Sequence, residues 1–186
     1  MMQESLDLFR AAGDEHGVAR ALTTLVIRDA MTENWEGAIP RLEESVAIWR
    51  GLGDRLQLAF DLVWLAFVYG RARRWRAATT AALEAVDIFR EAGNPTGIAL
   101  VFRDLSFICV WKGRAEDALR FAGAAESLRE RIGGGPPQGF GGMLEGDPAA
   151  EARQQLSDEV AQRSWDEGLG MDVEQVVGLA REMLAG

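Results

Sequence analysis

The chain has 186 residues, 48% hydrophobic and 26% charged, with 20 Lys and Arg against 29 Asp and Glu. That apolar content excludes intrinsic disorder, and a formal charge of −9 disfavours direct nucleic-acid or anionic-membrane binding. The single cysteine, Cys109, excludes an internal disulfide, and the single histidine, His16, excludes a site built on two imidazoles. The longest apolar run, 62–69, is too short to span a bilayer, and no secretory signal is visible; the expected compartment is cytoplasmic.

In chain order, residues 3–12 carry the pattern of a second helix whose first helix is missing. A first helix follows at 17–32 and a second at 36–52, then 56–72 and 76–92, then 96–112 and 115–132. The period is 40 residues. Gly13, Gly53, Gly93 and Gly133 repeat at that offset, as do Leu22, Leu62 and Phe102, and Ala38, Ala78 and Ala118. The repeated glycine suits a helix terminator, and Asp14, Asp54 and Asn94 suit the cap of the next helix. Residues 134–147 read as a Gly/Pro-rich loop, and 148–165 and 172–184 as a closing helix pair packed as a cap. The expected fold is an all-α solenoid of antiparallel helix hairpins: repeats over 1–133, the loop, and a C-terminal pair over 148–186. With no first helix before 3–12, Leu6 and Phe9 are expected to lack a partner on one side. A longer protein, a truncated product or a homodimer through this half repeat would each account for that.

The segment Arg41-Leu42-Glu43-Glu44-Ser45-Val46-Ala47-Ile48-Trp49-Arg50-Gly51-Leu52-Gly53-Asp54 resembles tetratricopeptide-like repeats of the longer variant found in C-terminal arms of large bacterial regulators. Residues 122–130, Ser164-Trp165-Asp166-Glu167-Gly168 and 171–177 are similar to the closing segment of those arms. The resemblance implies a sensor or protein-docking arm of a signalling or transcription regulator, attached to a STAND-type ATPase module. No phosphate-binding G-x-x-x-x-G-K-[ST] run lies in this chain, so such a module would stand outside it.

Residue types for catalysis do not converge. Cys109 reads as a buried thiol, His16 as a surface residue, and Glu43 and Glu44 as solvated charge; no cofactor or metal is called for. Binding is the expected role, with a protein, a peptide or a small effector on an inner groove lined by first helices. Thr24, Arg28, Asp61, Trp64, Arg103, Asp104 and Ile108 are the candidates, because an aromatic beside charges of both signs suits a peptide or polar ligand. Against this stands an ordinary solvated surface with Trp64 filling a gap between repeats. Arg71, Arg73, Arg74 and Arg76 form a second candidate, a patch for an anionic partner, or else a cap for a helix end. A self-associating scaffold with an empty groove is the alternative function.

Overall fold

The computed structural model describes residues 2–134 and 146–185. Most of the expected loop, 135–145, therefore lies outside the described residues. Ten α-helices carry all the regular structure of the described part: α1 Met2–Ala12, α2 Glu15–Met31, α3 Trp35–Leu52, α4 Arg55–Arg71, α5 Trp75–Glu91, α6 Pro95–Lys112, α7 Ala115–Arg131, α8 Pro148–Arg153, α9 Asp158–Gly170 and α10 Val173–Ala185. The chain is all-α.

Local chemistry sets these boundaries. Asp14, Asn34, Asp54 and Asn94 cap α2, α3, α4 and α6, their side chains accepting from the amides of Gly17, Gly37, Gln57 and Gly97 at 2.9 to 3.2 Å. Gly13, Gly53, Gly93 and Gly133 end alternate helices at φ of 60 to 73°, where the missing Cβ removes the strain. The intervening turns place Glu33, Arg73 and Gly113 in the same left-handed region. The 40-residue period is thus present in backbone conformation as well as in residue type.

Successive helices from α1 to α7 pack each on the next, and α4 also packs directly on α6. Ala38, Ala78 and Ala118 are fully buried, so neighbouring backbones approach closely, while Leu42, Phe89, Phe102 and Leu119 fill the spaces between. Each such large side chain contributes roughly 1.5–3 kcal/mol by leaving water. On the outer side Arg10, Arg50 and Arg90 recur at the repeat offset. Arg10 pairs with Glu44 and Arg50 with Glu84, both at 2.6 Å. Arg90 has Ala124 at the corresponding place and pairs instead with Glu174 of α10.

Three expectations are corrected. Leu6 does have a partner: it is 3% exposed, in a small cluster with Val18, Leu22 and Leu25, while Phe9 stays 36% exposed. The helix expected over 148–165 is two helices, because Ser157 caps α9 by accepting from the Val160 amide, and Asp158 and Glu159 favour a new helix start there. The expected C-terminal pair, packed as a cap, sits as two separate contacts rather than as one unit. α9 packs on α7, while α10 turns back onto α5, with a smaller contact to α7.

The α7–α9 crossing is backbone to backbone. A Cβ on Gly168 would stand 2.3 Å from the Arg120 carbonyl oxygen, and one on Gly123 would stand 2.6 Å from the Trp165 oxygen. In depth α9 repeats α4 and α6. Counted from their caps, Leu58, Ile98 and Ala161 correspond, as do Asp61, Val101 and Ser164, and all six are buried.

Candidate functional site

The candidate groove residues separate into two environments. Asp61 does not face a groove. It is 4% exposed between α2, α3 and α4, where Trp49 donates its indole N–H at 3.0 Å and Thr23 its hydroxyl at 3.1 and 3.2 Å. The Ser45 hydroxyl is a third donor. Burial raises the Asp61 pKa above the ordinary carboxylate value, and the bonds from Ser45, Thr23 and Trp49 oppose that shift. The physical reason for the misplacement is visible in the sequence only afterwards. One repeat further on, Val63, Ala85, Phe89 and Val101 occupy the positions of Thr23, Ser45, Trp49 and Asp61. The node is a polar version of an otherwise apolar inter-repeat contact.

Arg103, Asp104 and Ile108 are also buried, at 9%, 3% and 0% exposure. The Arg103 guanidinium lies 3.5 Å from the Asp104 carboxylate and 6.0 Å over the Phe107 ring. The short helix α8 packs on α6 and α7, with Ala149 and Ala152 buried, so the third repeat offers no open inner face here. Thr24 and Arg28 are exposed on α2, and Trp64 is half-buried on α4.

Around these three lies a surface that the expected stripe only partly named. On α4, Leu56, Phe60 and Trp64 recur every fourth residue, and Leu56 and Phe60 are 42% and 37% exposed. The repeat-equivalent positions on α2 are His16, Arg20 and Thr24, with Arg28 one turn on, all exposed. An apolar and aromatic stripe therefore runs in register with a polar, basic one. Leu56 and Phe60 carried a usable signal, being large apolar residues at the positions of His16 and Arg20.

The arginine group is divided by the fold rather than gathered into one patch. Arg71 sits between Trp35 and Trp111, its guanidinium carbon 4.8 and 5.2 Å from the two ring centroids. Arg73 is the left-handed turn residue, Arg74 pairs with Glu36 at 2.5 Å, and Arg76 donates to the Leu184 carbonyl at 3.1 Å. Lys112 joins Arg74 and Arg76 around an open recess of about 550 Å³.

Groups with chemical potential elsewhere are engaged in packing. Cys109 is fully buried against Met183, 3.7 Å from its sulfur, and burial pushes its thiol pKa up, away from reactivity. His16 is exposed, its ring edge-on to Trp49 at 5.2 Å. Tyr69 donates to Glu43 at 2.6 Å; burial first, then this bond, raises its pKa to about 12. Among the described residues no group of three or more His, Cys, Asp and Glu is placed to hold a metal, and no helix is long and apolar enough to cross a membrane.

Comparison with protein-family models, with curated proteins and with solved structures gives no match for this chain.

Proposed function

We propose that the chain is a non-catalytic interaction arm, a tetratricopeptide-like solenoid of a cytoplasmic signalling or transcription regulator. It would take a peptide, or a small effector, on the face shared by α2 and α4. The observation that carries this reading is the Leu56–Phe60–Trp64 stripe, its first two residues exposed and Trp64 half-buried, in register with the exposed His16, Arg20, Thr24 and Arg28. Exposed aromatic and apolar side chains at fixed helical spacing supply contact area, and the adjacent cations supply orientation. The sequence resemblance to regulator arms supports the cellular role. Structured helices on both sides hold the stripe rigid, which lowers the ordering cost of binding.

Selection of displayed random peptides against the intact chain tests it. Binders should perturb the Trp64 indole signal in a heteronuclear NMR spectrum. Phe60→Ala and Trp64→Ala should each weaken them at least tenfold without changing the circular dichroism. Binders that map elsewhere, or that survive both substitutions, would refute this assignment.

A further inference from the structure

The helices α2, α4 and α6 turn the same positions toward the repeat that follows. Thr23 of α2 donates to Asp61 of α4, and Phe67 of α4 lies edge-on to Trp111 of α6, ring centroids 5.4 Å apart. Arg103 of α6 holds the register of Thr23 and Val63, so it too faces onward. There α6 packs on the six-residue helix α8, while α9 packs on α7. The contact is a poor match. α8 buries Pro148, Ala149 and Ala152, which bring only small apolar surface. Arg103 is 9% exposed, and its Nε and Nη2 are buried and donate to no acceptor among the described residues. Asp104, 3.5 Å from Nη2, balances the charge without making a hydrogen bond to that edge. Ser164 of α9, at the register of Asp61, also buries a hydroxyl with no hydrogen bond among the described residues. Buried donors left without an acceptor weaken the contact that hides them. Six residues do not hold a helix in water without tertiary support, so α8 exists by virtue of this contact.

We propose that α8 is a self-inhibitory occupant of the inner groove, holding the third repeat until a peptide carbonyl takes its place on Arg103. The inference rests on the α2–α4 reading and adds its regulation: the bound peptide continues from the α4 stripe onto α6 and displaces α8. Exposure along the register fits that course. Thr24 is exposed, Trp64 half-buried and Asp104 only 3% exposed, so the groove closes at the repeat where α8 lies. Packed helices stand about 8–10 Å apart, so a peptide crosses from α4 to α6 in about three extended residues. The chemistry of the incoming group follows from charge. The Nε–Nη2 edge of a guanidinium presents two parallel N–H donors to one planar oxygen group. Asp104 already supplies the negative charge, so a neutral peptide carbonyl matches this edge and a second carboxylate would be repelled.

The test takes random peptides about twelve residues long, selected by display on the intact chain, and follows the chain by NMR as they bind. At saturation the amides of Ala150, Glu151 and Ala152 should move to random-coil shifts while α6 stays helical. Asp147→Ala removes the α8 cap, which accepts from the Ala149 amide at 2.9 Å, and should tighten binding severalfold. Ala152→Glu puts a charge on the buried side of α8 and should tighten it at least tenfold. If that variant disturbs folding, Asp147→Ala carries the comparison, because Asp147 is exposed. Arg103→Met with Asp104→Asn removes the donors and seats α8 more firmly, so binding should fall at least tenfold with unchanged circular dichroism. Helical α8 shifts at saturation, or equal affinity in Asp147→Ala and the Arg103 double variant, would overturn the proposal. Peptides that shift the Trp64 indole yet leave α8 in place would refute this inference and spare the α2–α4 assignment. Peptides that free α8 and survive Phe60→Ala and Trp64→Ala would do the reverse. A library with no binder for the parent or for Asp147→Ala would overturn both.

Discussion

The node around Asp61 can be dismantled one donor at a time or replaced whole, and the repeat itself supplies the replacement. Thr23→Val, Ser45→Ala and Trp49→Phe each remove one hydrogen bond to a carboxylate that is 4% exposed. Each should cost about 1–3 kcal/mol, because the buried oxygen loses a donor and no water takes its place. Added independently, the three would cost about 3–9 kcal/mol. Making all three changes together with Asp61→Val copies the set found one repeat later, Val63, Ala85, Phe89 and Val101. That fourfold variant should be as stable as the parent, or up to about 4 kcal/mol more so, since a buried charge and its desolvation cost disappear together. Urea unfolding followed by circular dichroism at neutral pH measures all five proteins, with unchanged m-values as the check on comparability. A pH series adds a sign. Burial raises the folded Asp61 pKa above its ordinary 3.8, so between these two values the folded chain binds more protons than the unfolded one. The stabilising contribution is complete below the unfolded value and is lost as pH rises through the folded one. The fourfold variant lacks this slope, and its advantage over the parent should widen as pH rises. A fourfold variant weaker than the sum of its singles, or an advantage that narrows with pH, would refute this account.

Three further outcomes follow from packing. Gly168→Ala should destabilise the chain by about 1–3 kcal/mol or more, because its methyl meets the Arg120 backbone 2.3 Å away; Gly178→Ala, with nothing within 4 Å, should stabilise α10 by up to about 1 kcal/mol. Thermal melts of the two variants read both signs. Arg71→Ala should shift the tryptophan emission and cost about 0.5–2 kcal/mol or more, since the guanidinium lies against Trp35 and Trp111. Cys109 should resist a disulfide reagent in the native state, and Met183→Asp should speed its labelling severalfold, because that side chain covers the thiol.

Helix periodicity, caps and turn glycines were all legible in the sequence, because each is a local property with a local residue signature. The six helices of the three hairpins fall within a residue or two of the expected spans, and the capping by Asp14, Asp54 and Asn94 is as expected. Two kinds of information were not local. Asp61 reads as a surface acid unless Thr23, Ser45 and Trp49 are known to point at it from two other helices. The direction of α10 depends on Val176, Val177, Ala180 and Met183 finding α5 and Cys109, about which the helical pattern says nothing. The Ser157 break was recoverable, as a serine followed by two acids marks a helix start. On the candidate face, Trp64, Thr24 and Arg28 were readable by register. Leu56, Phe60 and Arg20 were missed: large apolar residues at helical spacing ordinarily mark a core, and only their standing where α2 has His16 and Arg20 signals a surface.

The return of the final helix to α5 joins parts of the chain that translation separates widely: Arg76 meets the Leu184 carbonyl 108 residues later. While the ribosome is still making the last segment, the outer side of α5 has emerged with its eventual cover not yet synthesised. The part of α5 that the last helix covers stays uncovered for the whole interval. Protection during synthesis must therefore come from speed or from a chaperone, and slowing elongation after residue 131 should increase aggregation of the nascent protein.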